Sequence, residues 1–442
     1  MRARVFSRSR VTRSQPLHPL ARLAVVLLAT TLPAAAVAKT AQWPQPGRTA
    51  QHGGFNSKEN TLNKSNVANL TLSWTATTNA EIDAPLVAVG GKVFAMSTDG
   101  TLYAYNASNG TLLWSVVVNE NGAPAYWSLV ASNGTVYANC QLDSGHGGLC
   151  AYAATTGEQV WSYAIYDDPQ NNPVDSAPYG GPVLDGANIS FGESDTASYA
   201  HVGYQVVLNA KTGAGVNVYG NCGDTGANDC NLESNGVPSA QKGTLYYGSG
   251  DTNAPPGYSA SFVALPEGAG TPSWYIYTTD TGIAAAIAKG KVVYHENNND
   301  GATSSLVALD EKTGAQLWST QVQGPDYGHI APAVANGLAY FSVDGSLYAL
   351  SLASGAVKWS YPFTGIAGGL TSGVSLANGV VYAQCHDDGA NLCMFNATTG
   401  AYLSGIGGGS GSPSTPIVLN GAVYTVCNYN AVCRYALQQQ RH

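Results

Sequence analysis

One unit recurs seven times along this chain, and it limits the fold class more than any other feature. The unit is a short strand, a tight turn, a V-x-Y strand, a loop, an L-Y-A-L strand, a Thr-Gly or Asn-Gly turn, and a Trp-containing strand. Its first copy reads Ala84-Pro85, Gly90-Gly91, Val93-Phe94-Ala95, Asp99-Gly100, Leu102-Tyr103-Ala104-Tyr105, Asn109-Gly110 and Trp114. The glycine of the last turn returns at Gly110, Gly157, Gly213, Gly270, Gly314, Gly355 and Gly400. Four residues after it stand Trp114, Trp161, Asn217, Trp274, Trp318, Trp359 and Ser404. Four-strand units at this spacing predict a β-propeller. Three strands remain after the seventh unit, around Ile417-Val418, Val423-Tyr424 and Cys433–Leu437, and they lack the Trp strand. The stretch Val67–Trp74 supplies one. The expected fold is therefore all-β: one eight-bladed propeller of four-stranded antiparallel blades over residues 67–442. Its eighth blade is closed by the N-terminal strand, which removes the open edges of the ring. Trp74, Trp114, Trp161, Trp274, Trp318 and Trp359 are read as structural. Each large ring packs the next blade, and its indole N–H finds a carbonyl.

The residues before the repeat read as an export signal followed by a lead-in. Arg2, Arg4, Arg8, Arg10, Arg13 and Arg22 precede an apolar run, Leu23–Leu32. Pro33 and Ala36-Val37-Ala38 complete a signal peptide over residues 1–38. Residues 39–66 form a lead-in segment. The arginines are not paired and no cysteine stands at the cleavage point, so a Sec-type signal without a lipid anchor is expected. Cleavage leaves 13 Lys+Arg against 27 Asp+Glu. That balance disfavours a polyanion such as nucleic acid and leaves a cation, a neutral glycan or a protein surface as partner. No run of 18 apolar residues is present, so no spanning helix is expected. The chain is read as an exported monomer of the periplasm or the medium. All eight cysteines lie after the signal, in the close pairs Cys140/Cys150, Cys222/Cys230, Cys385/Cys393 and Cys427/Cys433. Proximity and an oxidising compartment favour these four disulfides.

The A-x-x-G-x-x-x-W frame (Ala154-Thr155-Thr156-Gly157 to Trp161) and the L-Y-A-L strand (Leu347-Tyr348-Ala349-Leu350) resemble the PQQ-like repeat. That repeat builds the blades of quinoprotein dehydrogenases and related propellers. The head segment is similar too, in Trp43-Pro44-Gln45-Pro46-Gly47-Arg48 and Leu62-Asn63-Lys64-Ser65-Asn66-Val67. The resemblance implies two alternatives. One is a PQQ- and calcium-dependent alcohol or sugar dehydrogenase. The other is a binding or scaffold propeller without a quinone. The sequence has no adjacent cysteine pair, little length beyond eight blades, and no stretch that maps onto the family's calcium ligands. These observations favour the scaffold.

Loop lengths select a face. First-to-second turns such as Asn336-Gly337, Asn378-Gly379 and Asn420-Gly421 suit two-residue hairpins. The second-to-third segments Gln141–Leu149, Gly192–Gly203, Gly250–Ala260, Glu296–Ser304 and His386–Leu392 are longer. So are the connections between blades. Both long sets leave the same face, which is read as functional. Candidate ligand-contacting residues there are Trp127, Asp168, Tyr179, Glu193, Asp326, Tyr327 and His329. Aromatics with acids suit neutral glycans or polar protein contacts. Asn297–Gly301 is read as a candidate calcium loop, and Asp326 with His329 as a conceivable acid–base pair. No catalytic residue is assigned.

Overall fold

The computed structural model describes residues 42–438 except 83, 120–128, 133, 144–145, 165–176, 179–180, 195–202, 221–236, 251–253, 281, 299, 325–329, 364–372, 386–389 and 408–413. These residues form eight sheets, one per blade, each built on antiparallel strands. Blade one is Val87–Val89, Lys92–Met96, Thr101–Asn106 and Leu112–Val117, and the others follow in sequence order. Blade eight joins Ile417–Leu419, Ala422–Cys427 and Ala431–Leu437 to Leu70–Thr77, which pairs antiparallel with Ala431–Leu437. The ring is closed by a strand from the N-terminal side, as the repeat count requires. The core lies between blades rather than in one centre. Tyr246, Phe262 and Trp274 of blade four, for example, bury against Val292 and Tyr294 of blade five.

The recurrent Gly and Trp belong to one contact. Each tryptophan donates its indole N–H to a carbonyl at the third-to-fourth turn of the following blade: Trp74 to Ala107 (3.3 Å), Trp114 to Ala154 (3.3 Å) and Trp161 to Ala210 (3.1 Å). Trp274, Trp318 and Trp359 repeat this on Glu311, Leu352 and Ala397 at 3.0–3.1 Å. The turn glycine lies under the ring. A Cβ on Gly157 would stand 2.7 Å from Trp114, and one on Gly213 would stand 2.7 Å from Trp161. The exception supports the rule. Blade three has Asn217 where the Trp would be, and Gly270 of blade four has nothing within 4 Å. There the left-handed glycine of the turn is Gly268 (φ 83°), and its N–H bonds the hydroxyl of Tyr219. Gly157→Ala should therefore cost about 1–2 kcal/mol from its left-handed backbone alone, before the ring is displaced. Gly270→Ala should be near neutral. Paired urea titrations check this, and equal losses would refute it.

The first-to-second turns are tight and left-handed. Lys242-Gly243, Lys289-Gly290, Asn336-Gly337, Asn378-Gly379 and Asn420-Gly421 all have both φ values positive. This is the two-residue geometry that matches strand twist. Seven outer strands carry a bulge just before the Trp or, in blades three and seven, just before Asn217 and Ser404 in its place; Leu113 in blade one and Val160 in blade two are among them. The bulge breaks the regularity of an exposed edge and blunts pairing with other chains. Disulfides Cys140–Cys150, Cys385–Cys393 and Cys427–Cys433 clasp second-to-third hairpins of blades two, seven and eight. Cys222 and Cys230 lie outside the described residues. The segment Gln141–Leu149, expected as a loop, is mostly strand. Thr135–Asp143 and His146–Ala153 extend the hairpin almost to its tip.

Candidate functional site

A ring of blades leaves eight inner strands whose edges face the channel with unpaired backbone groups. Residues 43–56 cover them. Trp43 and Ala88 of blade one exchange N–H···O bonds of 2.7 and 2.8 Å. The Ala131 N–H of blade two donates to Pro44 O (2.6 Å). In blade three the Leu184 N–H donates to Gln45 Oε1 (2.9 Å). Ala240, Ile287, Val334 and Leu376, in blades four to seven, donate to Ala50, Gln51, Gly53 and Gly54 at 2.8–2.9 Å. Asn56 Nδ2 reaches Val418 O of blade eight (2.8 Å). Phe55–Asn56 also adds a parallel fifth strand to blade seven. This belt visits the blades in numerical order and spends its carbonyls on their N–H groups. Pro44 and Pro46 have no N–H to leave unpaired.

The belt lies toward the tight-turn end of the channel, because the strand residues it contacts lie close before the first-to-second turns. Above it remains a throat lined by Pro46, Gly47, His52 and Gly54 of the belt and by Pro85, Val237, Ala284, Ile330, Ala331, Val374 and Thr415. Between these residues there is about 20 Å³, room for about one water, and the cleft is partly open. It is packed by close approach. A Cβ on Gly54 would stand 2.6 Å from Ala333 Cβ, and one on Gly373 would stand 1.8 Å from Thr415 Oγ1. His52 is 1% exposed, and its Nε2 has no hydrogen-bond partner among the described residues. Burial pushes its imidazole down to about 4, so it is neutral at pH 7.

The family resemblance implies PQQ and calcium in the central funnel, and the described residues of this cleft do not fit them; the blade connections 120–128, 165–176, 221–236, 325–329, 364–372 and 408–413 lie outside the described residues. A three-ring tricarboxylate needs far more than the volume of one water, and donors for its carboxylates. The wall supplies one imidazole and one hydroxyl among apolar groups. Calcium takes six to eight oxygens, and no three His, Cys, Asp or Glu among the described residues gather to hold a metal.

Farther out, the interface of blades four and five carries an acidic pair. Glu296 is raised to about 7 by burial, and nearby Asp280 adds to the rise, while hydrogen bonds from Thr279 oppose it. Asp280 accepts from Gly282 N–H (3.0 Å) and from Asn297 Nδ2 (3.2 Å). Neighbouring His295 contacts Ser304 Oγ (3.0 Å) and packs its ring on Phe341. Glu296 can exchange a proton near neutrality, and sequence reasoning did not single out its environment. The candidate calcium loop is a closed turn. Asp300 accepts from Ala302 N–H (2.9 Å), Thr303 N–H (2.8 Å) and Thr303 Oγ1 (2.5 Å). Its oxygens serve the turn's own N–H groups and the Thr303 hydroxyl. Of the candidate ligand residues, Trp127, Asp168, Tyr179, Asp326, Tyr327 and His329 lie outside the described residues. Glu193 stands near the long-loop end of the strand Asn188–Ser194, opposite Pro178 and Tyr204.

A family model described as outer membrane protein assembly factor BamB matches residues 55–274 and 232–442. Tetrathionate hydrolase of Acidithiobacillus ferrooxidans is 26% identical over 80% of this chain and 72% of its own length. Subunit 1 of the cytochrome c methanol dehydrogenase of Methylorubrum extorquens is 29% identical over 39% of this chain, a match that spans only 29% of that subunit. The solved quinohemoprotein alcohol dehydrogenase from Comamonas testosteroni superposes with a TM-score of 0.67 at 16% identity, covering 92% of this chain and 82% of that one. At that identity the likeness concerns fold alone. The family match runs over every blade, and the chain belongs to the PQQ-like repeat β-propeller family that the BamB model describes.

Proposed function

We propose that the protein is an exported binding or scaffold propeller that takes a protein or neutral-glycan ligand on its long-loop face, without quinone chemistry. The belt carries this reading. It lines the tight-turn end of the channel and leaves room for about one water in the cleft beside it, which supports recognition at the long-loop face. The disulfides among the described residues fit an oxidising compartment. Tyr327, Trp127 and their neighbours are the proposed contacts. The test combines the mature protein with PQQ and calcium, then measures binding by calorimetry and dye-linked oxidation of alcohols and sugars. Tetrathionate is assayed alongside. The expected result is no turnover, together with capture of a protein or glycan that is lost on Tyr327→Ala and Trp127→Ala. Sub-micromolar PQQ binding, tighter than about −8 kcal/mol, with turnover would establish the dehydrogenase alternative. Tetrathionate consumption would also overturn the scaffold reading.

A further inference from the structure

We propose that the long-loop face docks a cationic protein. This rests on the binding reading above and specifies the partner's charge. The observation is a segregation of charge along the ring axis. Every lysine among the described residues stands at the tight-turn end, as Lys242 and Lys289 do in first-to-second turns and Lys211 and Lys312 in third-to-fourth turns. Acids mix with them there, at Glu158, Asp185, Glu267, Asp310 and Glu311. The other end is of one sign. Its carboxylates with described side chains are Glu81, Asp99, Asp280, Glu296, Asp300 and Asp344, and no described lysine or arginine accompanies them. The sequence extends the pattern. The stretches between second and third strands and between blades hold eighteen Asp and Glu, and neither Lys nor Arg.

Solubility requires net charge but not its separation. A one-sign face produces a directed field that speeds encounter with the opposite sign and rejects its own. The carboxylates belong to blades one, four, five, six and eight, and no three His, Cys, Asp or Glu among the described residues gather around one point. A single ion is therefore too small an occupant. A neutral glycan is indifferent to the field. A broad basic surface matches both the sign and the spread. Two of the three exposed tyrosines among the described residues, Tyr258 (49% exposed) and Tyr429 (45%), also lie on this face. Tyrosine rings accept arginine and lysine at protein contacts.

Lysozyme, a small basic protein, serves as the probe, with affinity measured at 20 and 300 mM salt. One variant carries Glu81→Gln, Asp99→Asn, Asp300→Asn and Asp344→Asn. Its control removes four charges from the tight-turn end through Glu158→Gln, Asp185→Asn, Glu267→Gln and Asp310→Asn. The first set should weaken binding at least fivefold at 20 mM salt, the control less than twofold, and 300 mM salt should remove the difference. Glu81→Gln with Asp344→Asn alone, which leaves the Asp99 and Asp300 turns intact, should give an intermediate loss if the fourfold variant folds poorly. Equal weakening by both sets, or no lysozyme binding, overturns the proposal. Glycan capture that survives the same substitutions would overturn it and leave the binding reading standing. Quinone-dependent turnover would remove the reading itself.

Discussion

Trp43→Ala should destabilise the propeller by about 3–5 kcal/mol, the cost of truncating a fully buried tryptophan. Trp43 is 1% exposed and sits in the seam of blades one and eight. It packs there with Trp74, Ile82, Leu86, Ile417, Leu419 and Tyr424. Its backbone exchanges two hydrogen bonds with Ala88, so the ring and the main chain anchor the belt together at its first contact. The seam is also where the ring is closed by chain ends remote in sequence, Leu70–Thr77 against Ala431–Leu437. A loss there loosens the junction that makes the ring continuous. Denaturant unfolding of the mature protein checks the magnitude. Hydrogen exchange at Ala131, Ala240, Ile287, Val334 and Leu376, whose N–H groups donate to the belt, checks the cause. These amides should lose protection together, ahead of amides in the blade interiors. A loss below about 1 kcal/mol, outside the range for such truncations, would mean that the belt is not held by this residue.

The blades were legible because their determinants are local and repeated. A period of four strands, a left-handed turn glycine and a Trp four residues on are three signals of one contact, and seven copies average out the irregular ones. Gly270 is the instructive miss. Its spacing to Trp274 fits the frame, yet the preceding blade has Asn217 in place of the ring that would need a bare glycine. The turn lengthens, and Gly268 takes the left-handed position. The belt was not legible. Each of its contacts falls on a different inner strand, so it has neither the alternation of a strand nor the period of a helix. It passed as a lead-in, although its prolines and glycines suit a segment that offers carbonyls at close quarters.

Two buried groups should give the protein opposing responses to pH. His52 titrates at about 4 in the fold against an ordinary 6.5, because burial penalises its charge. The unfolded chain therefore binds a proton that the fold does not, and stability falls as pH drops from 6.5 towards 4. Glu296 titrates at about 7 against 4.5, chiefly through burial. Its contribution is fully present below 4.5 and is lost as pH rises through 7. Each shift corresponds to about 3 kcal/mol at full extent. Between pH 4.5 and 6.5 the two slopes oppose and largely cancel. Single substitutions should separate them. His52→Asn, chosen because asparagine tolerates the left-handed backbone of this position (φ 52°), should make the protein more stable at pH 4.5 than at 6.5, relative to wild type. Glu296→Gln should do the reverse. The readout is the slope of unfolding free energy against pH, which a change of packing alone leaves untouched. Wild-type slopes in both variants would show that neither group is held as the fold places it, and a change in only one would locate the error at the belt or at the rim.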